Sequence, residues 1–248
     1  MRTKGVFNAA ANNEEDNDKV FIITSGRFGL ELKKYTIPTE TYKDDIIKDN
    51  YNDNFEKAYK KLISFLETND EPGFVLFTGE PGTGKTSIIN HLAGKAKGLG
   101  KKFVMLPSAF VGVLSDPTFL QFAVEKLKGA VLCIEDAEDI LKSRDARPDS
   151  AVSNILNITD GVLGKISNLK VVCTLNNDVS IDQALLRKGR LKLKYKFDKL
   201  NVNKANALAK KLGKEKTFDK PVVLSDVYNA DDVNEFVETK RKTIGFNK

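Results

Sequence analysis

The sequence predicts an α/β fold: a parallel five-stranded sheet flanked by helices and followed by a small helical domain. Three observations predict it. Short apolar runs alternate with helix-like stretches between residues 73 and 197, a glycine-rich loop (GEPGTGKT) joins one apolar run to a helix, and another apolar run ends in two adjacent acids. Strand and helix must alternate in this way when strands run parallel, because each return to the same edge needs a crossover of a dozen or more residues.

The 248 residues are 41% hydrophobic and 30% charged, enough apolar content for one α/β core with a smaller appendage. Residues 1–19, rich in Asn, Glu, Asp and Ala without periodicity, read as a flexible arm. Two β-type runs around Ser25-Gly26 read as a hairpin over 20–38, and arm and hairpin together form an N-terminal region, 1–54. Apolar residues at three- and four-residue spacing make 53–66 an amphipathic helix, which opens the large domain, 55–198. Strands are expected at 73–78, 102–106, 130–135, 170–175 and 193–197, with helices at 85–99, 118–128 and 151–161. Helical patterns from 203 and over 224–239 form a small lid domain, 199–248.

Cys133 and Cys173 sit within apolar runs, VLCIE and VVCTL, as small core residues of a protein in a reducing compartment. With no apolar stretch of membrane-spanning length and no signal-type N-terminus, the expectation is a cytoplasmic protein without a membrane partner. The net charge of +6 comes from basic residues gathered at 95–102, 187–199 and 240–248, which read as a solvated face or as nucleic-acid contacts. His91 is the only histidine and reads as a satisfied helix residue.

The loop Gly79-Glu80-Pro81-Gly82-Thr83-Gly84-Lys85-Thr86 follows an apolar strand and opens a helix, the context a phosphate cradle needs. Its glycines let backbone N–H groups wrap phosphates, Lys85 reaches the β and γ oxygens, and Thr86 ligates magnesium. Ser87, on the first helical turn beyond, is counted with the nucleotide-binding residues, which take ATP and Mg2+. Phosphoryl transfer also needs carboxylates at the end of a neighbouring strand, and the run AVLCI followed by Glu135-Asp136 delivers two. Glu135 is assigned to the metal, through water, and Asp136 to the attacking water. Glu138 and Asp139 are second carboxylate pairs near the site or solvated acids at a helix start.

The stretch 171–190, VVCTLNNDVSIDQALLRKGR, resembles the second region of homology of the AAA family of ATPases, in which a strand ends in Thr-x-Asn and a helix ends in Arg-x-Gly-Arg. The resemblance implies that Asn176 is the sensor residue orienting the attacking water. It implies also that Arg187 and Arg190 are arginine fingers offered to a neighbouring subunit, so activity would depend on a ring, expected to be a hexamer of this chain. Gln183 and Lys188 replace two family prolines, and neither replacement removes a catalytic group. The Glu135-Asp136 order, the upstream LSDPTFL and the downstream ILNITDGV are similar to the subgroup of the mitochondrial Rieske-protein translocase. No counterpart of that subgroup's transmembrane helix is found, so its membrane role is not carried over.

Family rings that thread polypeptide carry an aromatic-hydrophobic-Gly tripeptide after the second core strand, and Phe110-Val111-Gly112 lies in that interval, as a pore loop or as packing beneath it. The resemblance therefore implies an ATP hydrolase that remodels or threads a protein substrate. A DNA-associated replication or mobile-element ATPase, and a slow nucleotide-dependent switch, are the alternatives.

Overall fold

A computed structural model describes residues 20–27, 29–36, 44–141, 150–176 and 181–232. The N-terminal arm at 1–19 and the basic run at 240–248 lie outside the described residues. In chain order the elements are β1 (Val20–Gly26), β2 (Gly29–Tyr35), α1 (Asp44–Asn50), α2 (Asn54–Glu67), β3 (Gly73–Gly79), α3 (Lys85–Gly98) and β4 (Phe103–Leu106). A 3-10 helix (Ser108–Ser115), α4 (Thr118–Lys126), β5 (Val131–Ile134), α5 (Glu138–Leu141), α6 (Ser150–Thr159) and α7 (Gly161–Ser167) follow. The chain then forms β6 (Lys170–Leu175), β7 (Leu191–Phe197), α8 (Val202–Lys211) and α9 (Leu224–Tyr228).

The strands form one sheet in the order β2-β1-β4-β5-β6-β3-β7. The five expected strands all form and run parallel, and the hairpin enlarges the sheet because β1 pairs parallel with β4. Among the described strands only β2 is antiparallel to its neighbour. Strand order is a non-local property, so hairpin patterning reveals two strands but not the edge they join. The central strand β3 reads GFVLFTG and is buried throughout, as expected for a parallel strand covered on both faces.

Two apolar layers cover the sheet. One is built from α2, α3 and α8, through Phe55, Leu62, Leu66, Ile88, Leu92 and Leu208. The other comes from the 3-10 helix, α4 and α6, through Leu114, Phe119, Ile155 and Ile158. The expected helix over 151–161 forms as α6, and a further helix, α7, follows it directly because Gly161 takes a φ of 66° and Asp160 caps α7 by accepting from the Gly161 N–H. His91 is fully buried, with 2.7 Å between its Nε2 and the Tyr59 hydroxyl. Both cysteines are buried and free, and burial pushes their thiols up. Among the described residues no helix is long and apolar enough to cross a membrane.

Lys170, the first residue of β6, is fully buried. Its Nζ donates to Thr68 Oγ1 at 2.9 Å and to the Glu71 carbonyl at 2.8 Å, and lies 4.3 Å from the centre of the Phe65 ring. Burial, with the neighbouring Lys101 charge, lowers its pKa to about 8. The folded state thus holds this proton less tightly than the unfolded chain, so stability rises as pH climbs from about 8 to 10.5 and is lost as pH falls through 8. The difference in unfolding free energy between the native chain and Lys170→Met should grow over that window in favour of the native chain, by up to about 3 kcal/mol. A difference that stays flat from pH 7 to 10 in thermal or urea unfolding would contradict it.

Candidate active site

Three parallel strands deliver their C-terminal ends to one place. β6 lies between β5 and β3, with Ile134 opposite Cys173 and Thr78 opposite Leu175. The loop after β3, the acids after β5 and Asn176 after β6 therefore meet at the carboxyl edge of the sheet, where open α/β sheets place their ligands. A cavity of about 850 Å³ opens there, lined by Pro81, Gly82, Gly84, Lys85, Thr86, Ser87, Asp136 and Asn176. Its far wall comes from α1, α8 and α9. A smaller recess of about 430 Å³ shares Asn176 and is lined by Gly79, Glu80 and Thr83.

Side chains cannot be added to this loop. Gly82 (φ 81°) and Gly84 (φ 96°) are left-handed, and an added Cβ would lie 2.4 Å from Ser225 Oγ or 2.8 Å from Leu224 Cδ2. The loop is also pinned from both sides: the Tyr51 hydroxyl donates to the Gly84 carbonyl at 2.9 Å, and the Ser225 N–H donates to the Gly82 carbonyl at 3.0 Å. Inside it, Lys85 Nζ donates to the carbonyls of Gly79 (2.7 Å) and Glu80 (3.0 Å). Burial holds Lys85 below the usual lysine range, opposed by the charges of Asp136 and Glu138. Thr83 Oγ1 donates to the Glu80 carbonyl at 2.8 Å, closing the turn.

The two carboxylates have different partners. Thr86 Oγ1 donates to Glu135 Oε1 at 3.2 Å, which gives two hard oxygen donors suited to a small divalent ion otherwise held by water and phosphate. Burial raises the Glu135 pKa, the Thr86 bond lowers it, and the nearby Asp136 charge raises it further. Asp136 is exposed and takes a φ of 52°, with its N–H donating to Thr174 Oγ1 at 3.1 Å. Asp and Asn are the non-glycine residues that best tolerate this left-handed conformation, which gives a physical reason for an Asp after the Glu. Asn176 Nδ2 donates to Asp136 Oδ1 at 2.5 Å, and the Asn176 N–H donates to Glu138 Oε1. Glu138 is thus tied to the site, while Asp139 is exposed.

Arg187 and Arg190 stand apart from this group and do not line the cavity. Arg187 is exposed. Arg190 Nε donates to Asp160 Oδ2 at 2.5 Å and its Nη1 to the Ala184 carbonyl at 3.2 Å, and that contact with Arg190 holds the Asp160 carboxyl below its usual range. Sequence reasoning missed Asp160 as this partner, although an Asp-Gly pair at a helix junction is a visible capping signal. It missed α1 too, whose seven residues are too few and too charged to show a periodic face. Phe110 and Val111 pack against the core from the 3-10 helix, and Gly112 is exposed.

Residues 75–199, just over half of the chain, match the family model of the ATPase family associated with various cellular activities (AAA). The chain belongs to the AAA family. Its relatives include a vesicle-fusing ATPase of Dictyostelium discoideum, 30% identical over 58% of this chain and 22% of that protein. A probable mitochondrial chaperone BCS1-A of the same organism is 33% identical over 54% of the chain and 33% of the chaperone, which agrees with the subgroup read from Glu135-Asp136 and its flanking segments. The 26S proteasome regulatory subunit 6A of Encephalitozoon cuniculi is 26% identical over 88% of the chain and 55% of the subunit. The chain thus spans from about a fifth to about half the length of these AAA relatives. A chain of the HORMA:CdnC:Trip13 complex of E. coli MS115-1 shares the fold, with a TM-score of 0.53 and 15% identity over 75% of this chain and 83% of that one.

Gly84→Ala should weaken nucleotide binding and cost about 1–3 kcal/mol, because the methyl meets Leu224 and Tyr51 as well as a strained φ. Gly129→Ala (φ 71°, open space around it) should cost roughly 1 kcal/mol and leave binding unchanged. Thermal unfolding and ATP titration of the two variants make the comparison, and equal effects would remove the packing argument.

Proposed function

We propose that this AAA chain hydrolyses ATP with Mg2+ as a subunit of an oligomeric ring, a hexamer of identical copies, that remodels or threads a protein substrate. One observation carries the proposal: Lys85, Thr86, Glu135, Asp136 and Asn176 meet at one sheet edge while Arg187 and Arg190 stand outside that cavity. Among the described residues no arginine lines the cavity of a single chain, and one from the next copy would add its charge to that of Lys85 as charge spreads over a transferring phosphoryl group. Bound there, ATP and magnesium would contribute the phosphoryl group and the charge that neutralises it.

Each residue has a role in this reading. The loop glycines and Lys85 hold the triphosphate, and Thr86 and Glu135 hold the metal, Glu135 through water. Asp136 polarises the attacking water, and the amide of Asn176, already in contact with that carboxylate, keeps it in line. The names of two relatives, a vesicle-fusing ATPase and a proteasome regulatory subunit, favour a protein substrate over nucleic acid. We divide the chain into a region at 1–54, an ATPase core at 55–198 and a lid at 199–248. The free thiols of Cys133 and Cys173 favour a reducing, cytoplasmic setting.

Lys85→Ala should abolish nucleotide binding or turnover, and unchanged affinity and rate would refute the phosphate assignment. Arg190→Ala should bind ATP normally but lose hydrolysis by about a thousandfold. Mixing it with Asp136→Asn should restore part of the rate if the arginine acts on the neighbouring copy. Light scattering with a slowly hydrolysed ATP analogue should show a ring, and a monomer under those conditions would count against the composite site.

A further inference from the structure

We infer that the cavity selects adenine over guanine through the side-chain amide of Asn50, oriented by Tyr228, an assignment that rests on the nucleotide-binding reading above. Contacts made to phosphate are the same for every nucleotide, so selection has to come from the opposite end of the cavity. That end is walled by Ile46 and Asn50 on α1, Leu208 on α8 and Leu212 just after it, and Leu224 and Tyr228 on α9. The aliphatic side chains give a slot for a planar base but accept any purine, because an apolar pocket discriminates poorly between isosteres.

Asn50 breaks that indifference. It is only 5% exposed and lines the slot, and its Oδ1 accepts the Tyr228 hydroxyl at 2.9 Å. A carboxamide has two lone pairs on oxygen and two hydrogens on nitrogen. In this arrangement the Tyr228 hydroxyl donates to one lone pair of Oδ1. One acceptor site and the N–H donors remain, side by side.

Adenine offers the complementary edge, an exocyclic N6 amine that donates beside a ring nitrogen, N7, that accepts. Asn and adenine pair in this bidentate way in general recognition chemistry. Guanine presents O6 and N7 on the same edge, two acceptors, and would set a carbonyl oxygen against Asn50 Oδ1. A buried amide forced into that mismatch loses a hydrogen bond it cannot replace with water. Of the neighbouring polar side chains, the Asp49 carboxylate is an acceptor only and is engaged by Lys211, and the amide of Asn229 is exposed to water, which leaves Asn50 as the buried amide at this end. Tyr228 is a positioning residue here, since its hydroxyl acts through the amide.

The test uses the full chain and three probes: ATP, GTP and tripolyphosphate, which has no base and reports the phosphate loop alone. The native chain should bind ATP about 10- to 100-fold more tightly than GTP. Asn50→Leu should bring the two nucleotides within about threefold while leaving tripolyphosphate affinity unchanged. Asn50→Asp keeps the shape and the bond from Tyr228 but loses the donor, and it should lower ATP affinity without lowering tripolyphosphate affinity. Tyr228→Phe should narrow the ATP-to-GTP ratio by less than Asn50→Leu. Equal binding of ATP and GTP by the native chain, or an unchanged ratio in Asn50→Leu, overturns the assignment while the phosphate site stands. Failure of tripolyphosphate to bind the native chain overturns the nucleotide reading itself, and the base assignment with it.

Discussion

The close approach of neighbouring groups to the glycines of the loop after β3 is the constraint from which the site follows. Gly79, Gly82 and Gly84 are approached by Phe197, Ser225 and Leu224 at distances that leave no room for a Cβ. Behind them an aromatic group ties distant elements together: ring centroids are 4.5 Å apart for Tyr51 and Phe55, 4.9 Å for Phe55 and Tyr195, and 5.3 Å for Phe77 and Phe197. Such packing is stiff, because interiors at crystal-like density do not deform gradually. The N–H groups that would hold a phosphate are thereby fixed in place before any ligand arrives, and little ordering is left for binding to accomplish.

A second consequence of the same arrangement is that Arg190 belongs to a different set of contacts from the residues around the cavity. Around the cavity Lys85 is bonded to the Gly79 carbonyl, Thr86 to Glu135, and Asn176 to Asp136. Arg190 is connected instead to Asp160, at the junction of α6 and α7, and to the turn at Ala184. Any contact that Arg190 made with another copy would compete with that ion pair. The pair is partly exposed, which keeps its strength modest and the exchange feasible.

Much of this was legible in the residues, and the boundary of legibility has a physical cause. Local patterns sufficed for the core strands and for α3: β6 over Lys170–Leu175 coincides with its apolar run, and the glycine-rich loop falls between strand and helix as its spacing requires. What escaped depends on pairing across the chain. The hairpin's place beside β4 needs knowledge of strand order. The left-handed Asp136 is a backbone state that two adjacent acids do not announce. Asn50 and Tyr228 are 178 residues apart, and neither belongs to a motif. The short helix α7 was not expected either, although Asp160-Gly161 is a readable start signal for it.

The central position of β3 bears on how the molecule is made. Its partners on both sides, β6 and β7, are encoded about a hundred residues downstream, so a nascent chain carries GFVLFTG with neither hydrogen-bonded edge satisfied until they emerge. At ordinary synthesis rates of 5–20 residues per second that interval lasts roughly 5 to 25 seconds. The nucleotide site can form only after it ends, which makes this strand the segment most in need of shelter during translation.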